Sequence, residues 1–167
     1  MKQTEKKICA FAGHRTAPQE IEDELRIAIL HAITQDGVKE FWCGGMGAFD
    51  LQCAKLVREA KTQHEDVRLV LVLPSLARAA SAPKHAYDEL LVADDSDGAH
   101  PKRAITLRNR WMAKHADLII AYIQRDHGGA YAMVRFAARY KKPLRFIREN
   151  AGITQRLSPL YAVSLQK

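Results

Sequence analysis

Short apolar runs alternate with longer amphipathic segments along most of this chain. Residues 8–12 form an apolar run that ends at Gly13, which is typical of a buried parallel strand. From residue 20 onward, apolar side chains recur at helical spacing as far as the Asp36-Gly37 stop. The alternation continues with strands predicted at 41–43, 67–73, 118–122 and 144–147, and with helices predicted at 51–61, 103–115 and 129–140.

Strands that alternate with helices predict an α/β fold, because the helices must cover both faces of a parallel sheet. We therefore expect a Rossmann-like, doubly wound, mainly parallel sheet of about five strands with helices on both faces. The least regular stretch, residues 75–99, predicts a long functional loop, and residues 87–93 within it are compatible with a short helix.

Length and composition are typical of one ordinary globular unit. The 167 residues are 47% hydrophobic and 27% charged, which suits a single domain over 1–167 with a core at about 7–147 and a C-terminal extension at 148–167. No apolar run approaches the ~20 residues that span a bilayer. The apolar stretch near the N-terminus is also much shorter than a signal-peptide core. We expect a cytoplasmic protein with no membrane partner.

Cysteine and histidine usage gives no sign of a disulfide framework or a metal site. Cys9, Cys43 and Cys53 are an odd number without a CxxC pair, and the first two lie in apolar, strand-like segments. The seven histidines lack metal-ligand spacing. We expect no bound metal and no required cofactor.

The formal net charge of +7 is spread along the chain without a block of like charges. Such a spread is compatible with an anionic small ligand, with non-specific nucleic-acid binding, or with a solvated surface alone. Charge by itself therefore does not choose among these three interpretations.

Glycine-containing turns follow three of the predicted strands, and each precedes a predicted helix. They are Gly13-His14-Arg15, Gly44-Gly45-Met46-Gly47-Ala48-Phe49-Asp50 and His127-Gly128-Gly129. Glycine lets the backbone approach a ligand, and the free N–H groups at a helix start favour an anion. Because parallel strands end at one edge of a sheet, we expect the turns to converge on a phosphate-binding cavity. The alternative interpretation is that these glycines form tight turns and helix caps without binding a ligand.

Polar side chains near these turns are candidates for the same site. Asp50 lies in the first turn of its predicted helix, where a carboxylate interacts favourably with the helix dipole even without a ligand. As a functional group, it could instead accept a ribose hydroxyl or act as an acid or base. The planar fork of Arg15 suits phosphate. Arg108 and Asn109 lie on a predicted helix and face either the cleft or solvent. A P-loop motif is absent, and Asp50 replaces the third glycine of a dinucleotide fingerprint, which disfavours an ordinary NAD-type site.

Five segments, taken in order, resemble the SLOG superfamily, and within it the YpsA-like branch that was long called a domain of unknown function. They are Ala12-Gly13-His14-Arg15, the segment from Gly44 to Asp50, Tyr87-Asp88-Glu89-Leu90, Arg108-Asn109 with Met112 and Asp117, and Gly128-Gly129-Ala130-Tyr131-Ala132. The resemblance covers about residues 7–147. It implies a Rossmann-like fold that holds nucleotides, their derivatives or nucleic acid.

Two relatives within that superfamily bear on function. The Lonely-guy phosphoribohydrolases carry a PGGxGTxxE motif whose proline and glutamate are missing here, which disfavours hydrolysis of an N-glycosidic bond. The spacing of Gly45 and Asp50 also resembles a glycine-rich loop of DNA-processing protein A, which binds single strands. Single-strand binding usually needs aromatic stacking platforms, and aromatic residues make up only 7% of this chain.

The leading hypothesis is that this chain binds a nucleotide or a nucleotide-derived phosphate ligand, as a sensor or signalling domain. The predicted ligand-binding residues are Gly13, His14, Arg15, Gly44, Gly45, Gly47, Asp50, Arg108, Asn109, Gly128 and Gly129. One alternative is a nucleotide N-glycosidase or phosphoribohydrolase in which Asp50 or Glu89 is the acid or base. The other is a single-stranded nucleic-acid binding protein, ranked lower. Whether the chain forms a homo-oligomer is left open by the sequence.

Overall fold

The protein, described here for residues 5–162 by a computed structural model, is built on one six-stranded sheet. Its strands are β1 (Lys7–Gly13), β2 (Val38–Cys43), β3 (Arg68–Leu73), β4 (Glu89–Val92), β5 (Leu118–Tyr122) and β6 (Leu144–Phe146). The helices are α1 (Glu22–Thr34), α2 (Ala48–Lys61), α3 (Pro101–His115), α4 (Gly129–Arg139) and α5 (Ala151–Ala162). Short 3-10 turns lie at Gln19–Ile21, Leu76–Ser81 and Lys84–Ala86.

All neighbouring strands pair in parallel, in the spatial order β4-β3-β2-β1-β5-β6. The chain therefore runs outward from β1 through β2 and β3 to one edge and then returns to the other side of β1. The order reverses between β1 and β5, which is where doubly wound folds bind ligands beyond the carboxyl ends of the strands. The Rossmann-like α/β architecture expected from the sequence is confirmed.

Alternation along the strands divides the core into two apolar layers. Cys9 and Phe11 of β1 face α1 and α2, where the Phe11 ring stacks on Phe41 at 5.7 Å between centroids. Ala10 and Ala12 face the opposite layer, which α3, α4 and α5 cover. Helices on both faces explain why the strands read as nearly continuous apolar runs.

The edge strand β4 was not expected, because residues 87–93 were compatible with a short helix inside a long loop. The Asp88 backbone N–H donates to the Leu69 carbonyl at 2.8 Å, and its carboxylate accepts from the Leu69 N–H at 2.7 Å. Lys61 forms an ion pair with the same carboxylate. These contacts join residues 89–92 to β3 in parallel register, so the sheet has six strands instead of about five.

The described part of the C-terminal extension forms α5, which packs on the second apolar layer through Ile153 and Leu157. Residues 163–167 of the predicted extension lie outside the described residues, as do residues 1–4. Between residues 5 and 162, no helix combines the length and the apolar content that a membrane crossing requires.

Candidate functional site

A cavity of about 380 Å³ opens at the carboxyl edge of the sheet, beside the point where the strand order reverses. Eight of the residues predicted for the site line it: Gly13, His14, Arg15, Gly44, Asp50, Arg108, Asn109 and Gly129. Parts of all three glycine turns thus meet at one cavity. This is the convergence that the parallel topology predicted.

Four other predicted residues lie outside the lining of this cavity. Gly45 lines a smaller neighbouring cavity, while Gly47 and Gly128 are the N-cap residues of α2 and α4. Glu89 lies at the start of β4, where its carboxylate is 3.1 Å from the Arg68 guanidinium. The structure therefore brings Asp50, but not Glu89, to the cavity.

Packing against Phe49 requires a glycine at position 13. A Cβ atom built on it would lie 2.1 Å from the Phe49 ring, so no larger residue fits there unless that ring moves. Phe49 is fully buried and lies edge-on to Phe11. The end of β1 can thus lie directly against α2, which brings the following residues, His14 and Arg15, to the cavity.

His14 links the turn after β1 to the turn after β5. Its side chain is 5% exposed, and its Nε2 accepts the Gln124 backbone N–H at 2.9 Å. An accepting Nε2 assigns the proton of the neutral ring to Nδ1. Burial, with the positive charges of Arg125 and His127, lowers the pKa of His14 and so favours this neutral form.

Arg108 places a positive charge inside the protein at the back of the cavity. Its side chain is 3% exposed, and Nη1 donates to the carbonyls of Gly44 and Val72, each at 3.0 Å. Its Nε donates to the Asn109 Oδ1 at 3.0 Å. Burial lowers the pKa of Arg108, while the nearby Asp50 opposes that shift, and an arginine at this site stays charged. Arg108 therefore joins the ends of β2 and β3 to α3.

Asp50 is the one carboxylate among the described residues that line the cavity. Its Oδ2 accepts the Met46 backbone N–H at 3.2 Å, which pairs a donor in the turn just before α2. Burial raises the pKa of Asp50 to about 6, although that hydrogen bond and the charge of Arg108 act in the other direction. A carboxyl with such a pKa gains and loses protons near neutral pH.

Three exposed cations complete the rim of the cavity: Arg15, Lys102 and Arg125. Lys102 and Arg125 were not among the predicted site residues. Arg125 follows β5 by three positions, in the loop that leads to Gly128 and Gly129. Lys102 lies in the first turn of α3. Strand-end loops carry the ligand contacts in this class of fold, so the position of Arg125 was the signal that could have identified it.

The start of α4 borders the cavity with its first backbone N–H groups. Its N-cap Gly128 provides no side-chain cap, and Gly129 and Ala130 line the cavity. A Cβ atom on Gly129 would lie 3.6 Å from Asn109 Nδ2, so the two meet at ordinary contact distance. A helix start without a side-chain cap, next to several cations, is a favourable environment for an anion.

The fold and this site define a Rossmann-like domain with a cationic cavity at its switch point. No model of a known protein family matches the sequence, and no curated protein matches it. The fold is similar to that of DNA processing protein A from Streptococcus pneumoniae, with a TM-score of 0.65 and 15% identity. That match covers 96% of this chain but 56% of the other, so the chain spans little more than half of that protein.

DNA processing protein A from Helicobacter pylori is also similar, with a TM-score of 0.64, 17% identity, and coverage of 92% of this chain and 72% of that protein. Its structure was determined to describe the single-stranded DNA binding mode of that protein. At these identities the likeness shows the fold. The shared fold agrees with the Rossmann-like fold that the sequence motifs implied.

Proposed function

We propose that this protein binds a nucleotide or a nucleotide-derived phosphate ligand in the cavity at the carboxyl edge of the sheet. The observation that carries the proposal is the convergence of four cations, Arg15, Lys102, Arg108 and Arg125, on a cavity with one carboxylate. A volume of about 380 Å³ lies within the range of small-molecule sites. Placement in the YpsA-like branch is part of this proposal and rests on the sequence motifs.

In the proposed complex, the phosphate lies between the start of α4 and the guanidinium groups of Arg15 and Arg125. Hydrogen bonds to charged groups contribute roughly 1.5 to 3 kcal/mol each, so two or three of them give millimolar to micromolar affinity. Asn109 and Asp50 offer a donor and an acceptor for the sugar hydroxyls.

Calorimetric titration with the four common nucleoside 5′-monophosphates, with inorganic phosphate and with a nucleoside tests this proposal. At least one monophosphate should bind, and Arg125→Ala should weaken it about tenfold or more, because a charge-assisted hydrogen bond is lost. Arg139→Ala is the matched control, since it removes the same charge from the exposed far end of α4. Absence of binding by every monophosphate, or equal effects of the two variants, would contradict the proposal.

The second candidate is hydrolysis of a nucleotide N-glycosidic bond, favoured by the pKa of about 6 that burial gives Asp50 inside the cavity. The missing proline and glutamate of the phosphoribohydrolase motif weigh against it. Chromatographic detection of free base from nucleoside monophosphates tests it, with Asp50→Asn as the inactive control. Absence of free base would leave binding alone as the function.

Single-stranded nucleic acid is the third candidate, supported by the fold shared with the Helicobacter pylori protein. Phe11, the one Phe, Tyr or Trp among the described lining residues, is buried and offers no exposed face for stacking bases. Fluorescence anisotropy with a labelled oligonucleotide at several salt concentrations tests this candidate. An affinity that falls steeply with salt would support it.

A further inference from the structure

A second cavity, of about 210 Å³, adjoins the first at the ends of β2 and β3. Its walls carry fewer charges than those of the first cavity, because Arg78 is the one charged residue among the described residues that line it. Leu71, Leu73, Pro74 and Tyr87 are among the others. Leu71 and Leu73 are buried, and Tyr87 is half-buried. Apolar walls with few polar groups suit a flat heterocycle better than they suit a phosphate.

The wall between the two cavities is thin. Gly44 and Met46 line both of them, so one short stretch of chain separates the two spaces. Gly44 has no side chain, and a Cβ atom built on it would lie 3.0 Å from Arg108 Nη2. Met46 is the only side chain that these two shared residues contribute to the wall, and unbranched methionine adapts readily to a ligand.

The second cavity also has its own cation. Arg78, in the 3-10 turn Leu76–Ser81, lines it, while Arg108 lines the first cavity and donates to the Gly44 carbonyl at 3.0 Å. One cation thus belongs to each of the two cavities that share Gly44 and Met46, and both charges would attract an anion at these shared residues. An anion at the wall would lie between a ligand group in the first cavity and one in the second.

We propose that the two cavities form one site for a ligand of two nucleotide units joined by a phosphate. The first nucleotide occupies the cationic cavity, the linking phosphate crosses the wall at Gly44 and Met46 within reach of Arg78, and the second base contacts Leu71, Leu73 and Tyr87. This inference rests on the proposed function, because the first nucleotide binds as described there. It goes further, because it states the ligand's size and the residues that recognise its second half.

Calorimetric titration with AMP and with the 5′-phosphorylated adenosine dinucleotide pApA tests this inference on the full chain. The dinucleotide should bind about tenfold tighter than AMP, since its second base buries apolar surface and its linking phosphate gains a cation. Arg78→Ala should remove most of that difference and leave the affinity for AMP unchanged. Ser81→Trp, which fills the second cavity with a bulky side chain, should do the same.

Leu76→Ala is the matched control for both variants, because Leu76 lies on the same 3-10 turn, is 66% exposed and lines neither cavity. Far-ultraviolet circular dichroism confirms that each variant is folded. If AMP binds but pApA binds no tighter, or if Arg78→Ala weakens both equally, the inference is overturned and the proposed function stands. If neither compound binds to the wild-type protein, the inference is overturned, and the titration with all four monophosphates decides separately on the proposed function.

Discussion

Helices α2 and α4 begin in almost the same way and present their first turns to very different surroundings. Gly47 starts α2 with φ 92° and ψ 174°, and Gly128 starts α4 with φ 91° and ψ 176°. Neither helix has a side-chain hydrogen bond at its N-cap. Backbone conformation alone would assign the two helix starts the same role.

The residues that surround the two helix starts are different. At α2, the Ala48 N–H donates to the Arg15 carbonyl at 2.8 Å, and a Cβ atom on Gly47 would lie 2.5 Å from the Arg15 Cα. At α4, a Cβ atom on Gly128 would approach only the flexible end of Arg125, at 3.8 Å. The first helix start is therefore closed by the protein itself, while the second borders the cavity.

A glycine turn before a helix is thus not by itself an anion site. The turn at Gly47 packs two loops together and leaves less of its helix start for a ligand. The turn at Gly128 leaves the first N–H groups of α4 beside the cavity. The proposed phosphate position follows from this difference.

The largest expected effect is that of Gly47→Ala. Alanine is strained at this backbone conformation, and its Cβ would collide with the Arg15 backbone, so the free energy of unfolding should fall by about 4 kcal/mol. Urea denaturation measures the change. Gly98→Ala is the control, because Gly98 has φ 81° but no atom within 4 Å of its Cβ position. Equal losses in the two variants would show that crowding at α2 contributes nothing.

Asp50→Asn should show a stability difference that depends on pH. Burial raises the pKa of Asp50 from 3.8 to about 6, so the stability that the protonated carboxyl contributes is present below pH 3.8 and is lost as the pH rises through 6. Asparagine stays neutral, so between pH 4 and 8 the variant should gain up to about 3 kcal/mol relative to wild type.

Urea denaturation of both proteins at pH 4.5 and pH 8 measures this gain. The other titrating groups are common to the two proteins, so they largely cancel in the difference. A difference that stays constant with pH would mean that Asp50 has an ordinary pKa, and one that changes in the opposite direction would mean that its pKa is lowered. Either result would show that burial does not control this carboxyl.

Gly128→Ala should cost less than Gly47→Ala, about 2 kcal/mol, because strain at φ 91° remains but no backbone atom is crowded. The loss is measured by urea denaturation beside the Gly47→Ala variant. A cost equal to that of Gly47→Ala would remove the distinction between the closed and the open helix start.

The smallest effect is expected for Gly129→Ala. Gly129 is the first residue of α4, and a Cβ there would meet Asn109 at an ordinary 3.6 Å, so alanine should stabilise the protein by about 0.5 kcal/mol. Gly152→Ala in α5, away from the cavity, is the control for the intrinsic helix effect. A clear loss of stability would mean that Asn109 packs against α4 more tightly than ordinary contact.

Most of the fold could be predicted because hydrophobic periodicity is a local property of the chain. Five strands and the helices between them were recognisable from short apolar runs and helical spacing. Strand β4 was not, because four residues do not distinguish a strand from a helical turn. Its identity depends on the Asp88 contacts with Leu69 and Lys61, which the sequence does not reveal.

The candidate site could be predicted only in part, for a related reason. The glycine turns after β1, β2 and β5 were visible, and parallel topology brings them to one edge of the sheet. Which cations join them depends on the tertiary arrangement, so Lys102 and Arg125 were missed. The packing of Phe49 against Gly13, which explains that glycine without a ligand, was equally invisible.

The two tryptophans of the chain, Trp42 on β2 and Trp111 on α3, are stacked with ring centroids 5.1 Å apart. Since α3 also carries Arg108 and Asn109, one indole of the pair lies on a helix that lines the cavity. Displacement of α3 against β2 would change the coupling between the rings. Intrinsic tryptophan fluorescence would therefore detect a movement of α3 against β2 without any label.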